Sequence, residues 1–369
     1  MNKEKLTANI LFSGIGCQER GIQNTGLFDL EVISTSDIDK DAVLSYAAVH
    51  CGLTEEIINT YTKYPSREEM AKQLTEINLG FKPENNKCYD WHKLVKSKRN
   101  DLEKYWLATK LTKNLGDISK IESLPYADLW TISFCCQDIS VAGKMKGLKP
   151  DSGTRSSLLW KNIKLLKRAK DDSTLPKYLM FENVKNLVSK KFIDDFNSLL
   201  GVLDELGFNS YWDVLNAKEC GVPQNRERVF VICIRKDIDK HTYTFPKPFD
   251  NGMRLKDVLD TKVDEKYYLS QDIQDRFHYT DTNGENDKMQ NKFTIRKLTP
   301  TECWKLQGFE SEDCEKARNV GVSDTNLYKQ AGNGIVTNCV ELLFEHLYKA
   351  QVDNTYICTD ENFTQPQQK

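Results

Sequence analysis

Five short apolar runs, each closed by a loop of polar or small residues, constrain this chain's fold more than any other feature: Ala8 to Phe12, Val32 to Ser36, Ala127 to Phe134, Tyr178 to Phe181 and Val229 to Ile234. Runs of this length bounded by turn residues read as buried strands. Leu115 to Ile118 is read as a further short strand, third in chain order. Between them lie stretches with apolar residues at helical spacing, of which Ser156 to Lys170 and Ile193 to Leu206 are the clearest. Strands alternating with helices imply a parallel sheet joined by right-handed crossovers. Open sheets of this kind keep ligands and reactive groups beyond the carboxyl ends of their strands. The residues that leave each run are therefore the functional candidates.

The first run exits into Ser13-Gly14-Ile15-Gly16-Cys17, with a helix starting near Gln18, and the second ends at Asp37. Glycines let backbone amides approach a ligand closely, and a carboxylate at the next strand end can accept both hydroxyls of a ribose. The dinucleotide pattern Gly-x-Gly-x-x-Gly is incomplete, because position 19 is Glu. That disfavours NAD or FAD and leaves a smaller adenosine ligand or a plain tight turn. Asp117 is placed to hydrogen-bond an adenine amino group.

The run ending at Phe134 continues as Cys135-Cys136-Gln137-Asp138-Ile139-Ser140, with Gly143 and Gly147 as breakers. Cys136 is either a buried structural residue or, near arginines, a thiol of lowered pKa. A thiolate suits attack on an electron-poor ring carbon, since sulfur is a strong nucleophile that later leaves. Tyr178 to Phe181 delivers Glu182 and Asn183 to the same edge, and Gln224-Asn225-Arg226-Glu227-Arg228 enters the last run. A protonated Glu182 would hydrogen-bond a ring nitrogen, which needs the raised pKa that burial supplies. Arg228 would stabilise a carbonyl oxygen as charge builds on it. Taken singly, each Glu and Arg reads equally well as a structural ion pair.

Net charge is −2 across 369 residues, so phosphate binding must come from local clusters such as Lys93 to Arg99, Lys161 to Lys170 and Lys190-Lys191. Each also reads as the solvated face of a helix. The eleven cysteines include no Cys-x-x-Cys pair, so no metal site is expected. With no secretory leader and no long apolar run, the expected location is the cytoplasm, away from membranes.

Residues 50–114 are polar and broken at Pro65 and Pro83, an insertion between strands. The expected plan is a catalytic and cofactor-binding domain over 1–245 that carries this insertion. A small target recognition region follows over 246–320. A C-terminal helix over 321–352 returns to the first domain, and 353–369 forms a disordered tail.

In order, these residues resemble the DNA (cytosine-5) methyltransferase family of the bacterial and phage restriction-modification type. The matching stretches are Phe12 to Gly16, Asp37-Ile38-Asp39, Gly116-Asp117-Ile118, Cys136 to Gly143, Gly153-Thr154-Arg155 and Glu182 to Asn186. They continue with Gln224-x-Arg226-x-Arg228, Arg296 to Pro300 with Glu302, Leu306 to Phe309 and Gln330 to Gly334. The resemblance implies an α/β fold: a Rossmann-like methyltransferase sheet with helices on both faces, plus a short recognition region. It implies S-adenosyl-L-methionine as cofactor, held by Phe12, Gly14, Gly16, Asp37, Ile38, Asp117, Ile118, Leu158, Asn333 and Gly334. The catalytic set would be Cys136, Glu182, Arg226 and Arg228. Cys136 would attack C6 of a cytosine flipped out of double-stranded DNA, Glu182 would engage N3 and the exocyclic amine, and Arg228 the O2 oxygen. C5 would take the methyl group. The implied protein is a monomer that protects DNA from a cognate restriction endonuclease acting on the same site without direct contact.

Two departures accompany the match. The family carries Pro before the nucleophile, where this chain has Cys135, implying a slower enzyme or a relaxed function. Fewer than 50 residues separate Pro248 from Arg296, where the family usually places its recognition domain, and no Thr-Leu element is visible there. Alternative readings are a tRNA cytosine-5 methyltransferase, whose Cys-Phe-Thr run is absent, and a catalytically impaired cofactor-binding, DNA-binding protein.

Overall fold

The computed structural model describes residues 3–83, 85–133, 158–274, 279–280, 286–287 and 295–355. Its main strands are β1 (Glu4–Leu11), β2 (Phe28–Ser36), β3 (Leu129–Ile132), β4 (Tyr178–Val184), β5 (Phe208–Asn216) and β6 (Glu227–Arg235). They form one six-stranded sheet in the order β2-β1-β3-β4-β6-β5. The helices through the first half are α1 (Cys17–Asn24), α2 (Lys40–His50), α3 (Glu55–Thr60), α4 (Arg67–Glu76), α5 (Asp101–Leu111), α6 (Leu158–Asp171) and α7 (Ile193–Leu206). Those beyond the sheet are α8 (Leu255–Val258), α9 (Gln271–Gln274), α10 (Pro300–Lys305), α11 (Ser311–Asn319), α12 (Asp324–Asn333) and α13 (Thr337–Gln351).

The sheet is parallel from β2 through β4, but β6 runs antiparallel to both β4 and β5. The all-parallel expectation therefore fails at one edge. Residues 217–226 alone join β5 to β6, too few for the crossover a parallel pair needs, so the chain turns straight back. β5 escaped the sequence reading because an edge strand has one neighbour; its sequence, Phe208-Asn209-Ser210-Tyr211-Trp212-Asp213-Val214-Leu215-Asn216, mixes polar and half-buried positions. Leu115 to Ile118 is not a strand. Gly116 takes φ 75°, where a Cβ would lie 2.0 Å from the Ile77 carbonyl oxygen. The Asp117 amide then donates to that same oxygen (2.9 Å), and a 3-10 turn, Ile118–Lys120, follows.

Strand alternation sends side chains to two cores. Leu6, Ala8 and Ile10 join α1, α2 and α13 on one face. Leu11, Trp130, Ile132 and Phe181 meet α6 and α7 on the other. Helix α13 returns to lie on α1 so closely that a Cβ at Gly21 would stand 2.5 Å from Val340. Glu302 is fully buried and accepts both Nη1 (2.7 Å) and Nη2 (2.6 Å) of Arg296, with the Asp260 and Thr299 amides at 2.8 and 2.7 Å. Burial alone would raise its carboxyl, but these donors hold it below the usual range. This knot ties the segment after β6 to α10. Among the described residues no helix is long and apolar enough to cross a membrane.

Candidate functional site

Where β1 ends, the chain turns sharply. Phe12 adopts φ 58°, a left-handed conformation rare for a bulky residue, and Gly14 and Gly16 follow at 54° and 83°. Gly16 then caps the start of α1. The neighbouring end of β2 supplies Asp37, whose Oδ2 accepts the Gly14 amide (2.8 Å) and whose Oδ1 accepts the Asp39 amide (2.7 Å). Asn114 brackets the Asp37 backbone, accepting its N–H at 2.8 Å and donating to its carbonyl at 3.0 Å. Burial and then the charge of Asp39 push the Asp37 carboxyl up to about 6.

Across the sheet edge, Glu182 near the end of β4 is 8% exposed. It opposes Phe230 on β6, which makes Arg228 its diagonal neighbour, and Arg228 Nε lies 3.2 Å from Glu182 Oε1. Burial raises the Glu182 carboxyl, while Arg228 and Arg226 oppose the rise. Arg226 turns the other way: its Nη2 donates to the Gly332 (2.8 Å) and Gly334 (2.7 Å) carbonyls, which pins the turn between α12 and α13. Gln224 donates to the Leu306 carbonyl at 2.9 Å, so one loop fastens both the α10 end and the α13 start to the site.

A cavity of about 320 Å³ joins these elements. Phe12, Gly14, Asp37, Ile38, Asn333 and Gly334 line it together with Glu182, Arg226 and Arg228. Four other candidates lie elsewhere. Gly16 faces His50; Asp117 accepts Asn78 Nδ2 (2.8 Å) and the Ser119 amide (2.9 Å). Ile118 is buried in the second core, and Leu158 packs against it at the start of α6. Cys136, Cys135, Gly143, Gly147 and the Gly153-Thr154-Arg155 stretch lie outside the described residues.

The cavity also has walls that the sequence reading did not select, among them Gln18, Ser133 and Gln330. Gln330 is the most informative. Its Oε1 accepts the Ser45 hydroxyl (3.1 Å), while Nε2 is buried with no partner among the described residues. It sits three positions before Asn333, and only the folded chain brings it to the cavity wall. The Asp37 carboxylate, the glycine turn beside it and a volume in the ligand range fit an adenosine ligand. Among the described residues no cluster of His, Cys, Asp or Glu could hold a metal ion.

If ribose hydroxyls donate to Asp37, binding favours its carboxylate and displaces a proton. Nucleoside affinity should then be level above about pH 7 and fall about tenfold per unit below pH 6. Asp37→Asn should bind weakly and lose this dependence, as isothermal titration calorimetry across pH 5 to 8 would record.

The family model of C-5 cytosine-specific DNA methylases matches residues 66–290 and 278–349. The type II methyltransferase M2.ScrFI of Lactococcus lactis subsp. cremoris is 39% identical, over 92% of this chain and 98% of that one. The orphan methyltransferase M.SssI of Spiroplasma monobiae is 28% identical, over 93% and 97%. Among solved structures, the S. pombe Dnmt2 methyltransferase superposes with a TM-score of 0.55 at 16% identity, covering 93% of this chain and 98% of its own. A putative DNA modification methyltransferase from an E. coli prophage gives 0.55 at 17%, over 94% and 99%. At such identities these two likenesses speak to the fold alone.

Proposed function

This chain belongs to the C-5 cytosine-specific DNA methylase family and is a DNA (cytosine-5-)-methyltransferase, and from that premise we propose how its residues perform the transfer. The observation that carries the reading is that Asp37 and the Glu182–Arg228 pair line one and the same cavity. Members of the family use S-adenosylmethionine, which when bound supplies an electrophilic methyl group on a sulfonium. Phe12, Gly14, Asp37, Ile38, Asn333 and Gly334 would hold it.

The Cys136 thiolate adds to C6 of a cytosine drawn out of the duplex, and electron density moves to C5. Burial shifts Glu182 toward its protonated form, in which it gives a hydrogen bond or a proton to N3 and makes C6 electrophilic. Arg228 neutralises the oxygen at C2 and orients Glu182 through their 3.2 Å contact. Arg226 positions the Gly332–Gly334 wall and does not touch the base in this scheme. After C5 is methylated, loss of its proton and departure of the thiol restore both enzyme and aromatic ring. The biological role is protection of DNA from a restriction endonuclease that reads the same sequence. Residues 1–245 would carry the chemistry and 246–320 the recognition.

Incubating the protein with labelled S-adenosylmethionine and unmethylated duplex DNA should yield 5-methylcytosine at one sequence, mapped by bisulfite sequencing. Label entering RNA alone, or no transfer despite cofactor binding, would overturn the reading.

A further inference from the structure

Against the glycine turn lies a buried polar cluster, His50, Tyr46 and Glu19, that does not line the cavity and has no part in the chemistry above. His50, at the last turn of α2, puts its Nε2 3.1 Å from the Ile15 carbonyl oxygen. A carbonyl oxygen only accepts, so Nε2 carries the proton and Nδ1 is a lone pair. The same ring fills the space under Gly16, where a Cβ would come within 2.3 Å of Nε2. Its other surroundings hold the imidazole in place. Tyr46 lies against it with ring centroids 4.7 Å apart, and Phe309 meets its edge at 6.4 Å. Glu19 Oε2 stands 3.7 Å from Nδ1; this carboxylate takes the Tyr46 hydroxyl and the Gln23 amide (2.9 Å). Burial and the charge of Arg20 lower the His50 pKa to about 4, so the Glu19 contact is not an ion pair and the ring keeps a single proton.

We propose that His50 is a positioning residue for the cofactor: its Nε2–H holds the Ile15 carbonyl and its ring supports Gly16, fixing the turn that presents backbone to the ligand. The turn has reason to need such support. Phe12, Gly14 and Gly16 all sit at positive φ within five residues, a geometry that persists only when its surroundings impose it. On the Gly14 side the Asp37 carboxylate holds the backbone amide (2.8 Å), and on the Gly16 side the His50 ring fills the space where a Cβ would stand. The inference rests on the reading that the cavity takes S-adenosylmethionine.

Calorimetric affinity for S-adenosylhomocysteine separates the two levels. If the native protein does not bind it, the cofactor reading fails first. If it binds, His50→Leu, which removes the donor, should weaken binding about tenfold, the scale of one hydrogen bond plus lost support. His50→Gln, which keeps a donor near the same place, should recover most of the loss. In turnover, KM for S-adenosylmethionine should rise in the Leu variant while kcat stays within about twofold, since no reacting atom is touched. Native-like affinity in a folded His50→Leu protein would overturn the proposal, as would equal loss in the Leu and Gln variants. Nitrogen-15 spectra of the native imidazole give a reading independent of any variant: an unprotonated Nε2 would also overturn it.

Discussion

Replacing Cys136 with Ser should lower methyl transfer by at least about 10³-fold while leaving cofactor affinity within about twofold. A hydroxyl has nearly the same size as a thiol, so binding surfaces survive, but its proton is far harder to remove at neutral pH. Thiolate is the reactive form of Cys, and serine offers no comparable fraction of alkoxide without a dedicated base. Losses of this size or larger are usual when a nucleophile is removed. The adjacent Cys135 gives the experiment its control. Cys135→Ala should retain transfer, whereas activity that survives in Cys136→Ser and vanishes in Cys135→Ala would move the nucleophile by one position. The measurement is labelled methyl transfer at saturating DNA, with calorimetry for the cofactor.

Glu182→Gln should reduce kcat by about 10²- to 10⁴-fold, the range for loss of a general acid. Glutamine keeps the shape and can donate a hydrogen bond to a ring nitrogen, but it cannot transfer a proton. The pH dependence carries the sign. Burial raises the Glu182 pKa, and Arg228 and Arg226 pull it back. The protonated form is the working one, so kcat/KM for DNA should fall as pH rises through that raised value. The limb should be absent in Glu182→Gln. Removing the Arg228 charge should move it to higher pH, because the free carboxyl loses a neighbour that favours ionisation. A rate that instead rises with pH across this limb would assign Glu182 as a base.

Much of this site was legible without coordinates, because its chemistry sits at strand ends and strand ends are written locally. Apolar runs that stop at Phe12, Asp37 and Phe181 place Gly14, Asp37 and Glu182 on one edge as soon as the sheet is mostly parallel. Arg228 follows from the same logic, although its strand runs the opposite way; an antiparallel neighbour of β4 still brings its first residues to the end of β4. What was not legible depends on partners distant in the chain. Asp117, expected at the cofactor, accepts Asn78 Nδ2 from 39 positions earlier. Arg226, expected in the catalytic set, reaches the Gly332 and Gly334 carbonyls, 106 and 108 positions later.

The amino-acid sequence by itself determined the strand and helix periods, the positions that must be glycine, and which side chains stand where the strands end. These follow from local sterics and from the burial of one face of each element. Only the tertiary structure decided that α13 closes against Gly21, that Arg226 holds the Gly332 and Gly334 carbonyls, and that the His50 ring lies under Gly16. Each of these is a contact between segments far apart in the chain, set by which surfaces remain to be buried once the sheet has formed. No local pattern encodes that choice.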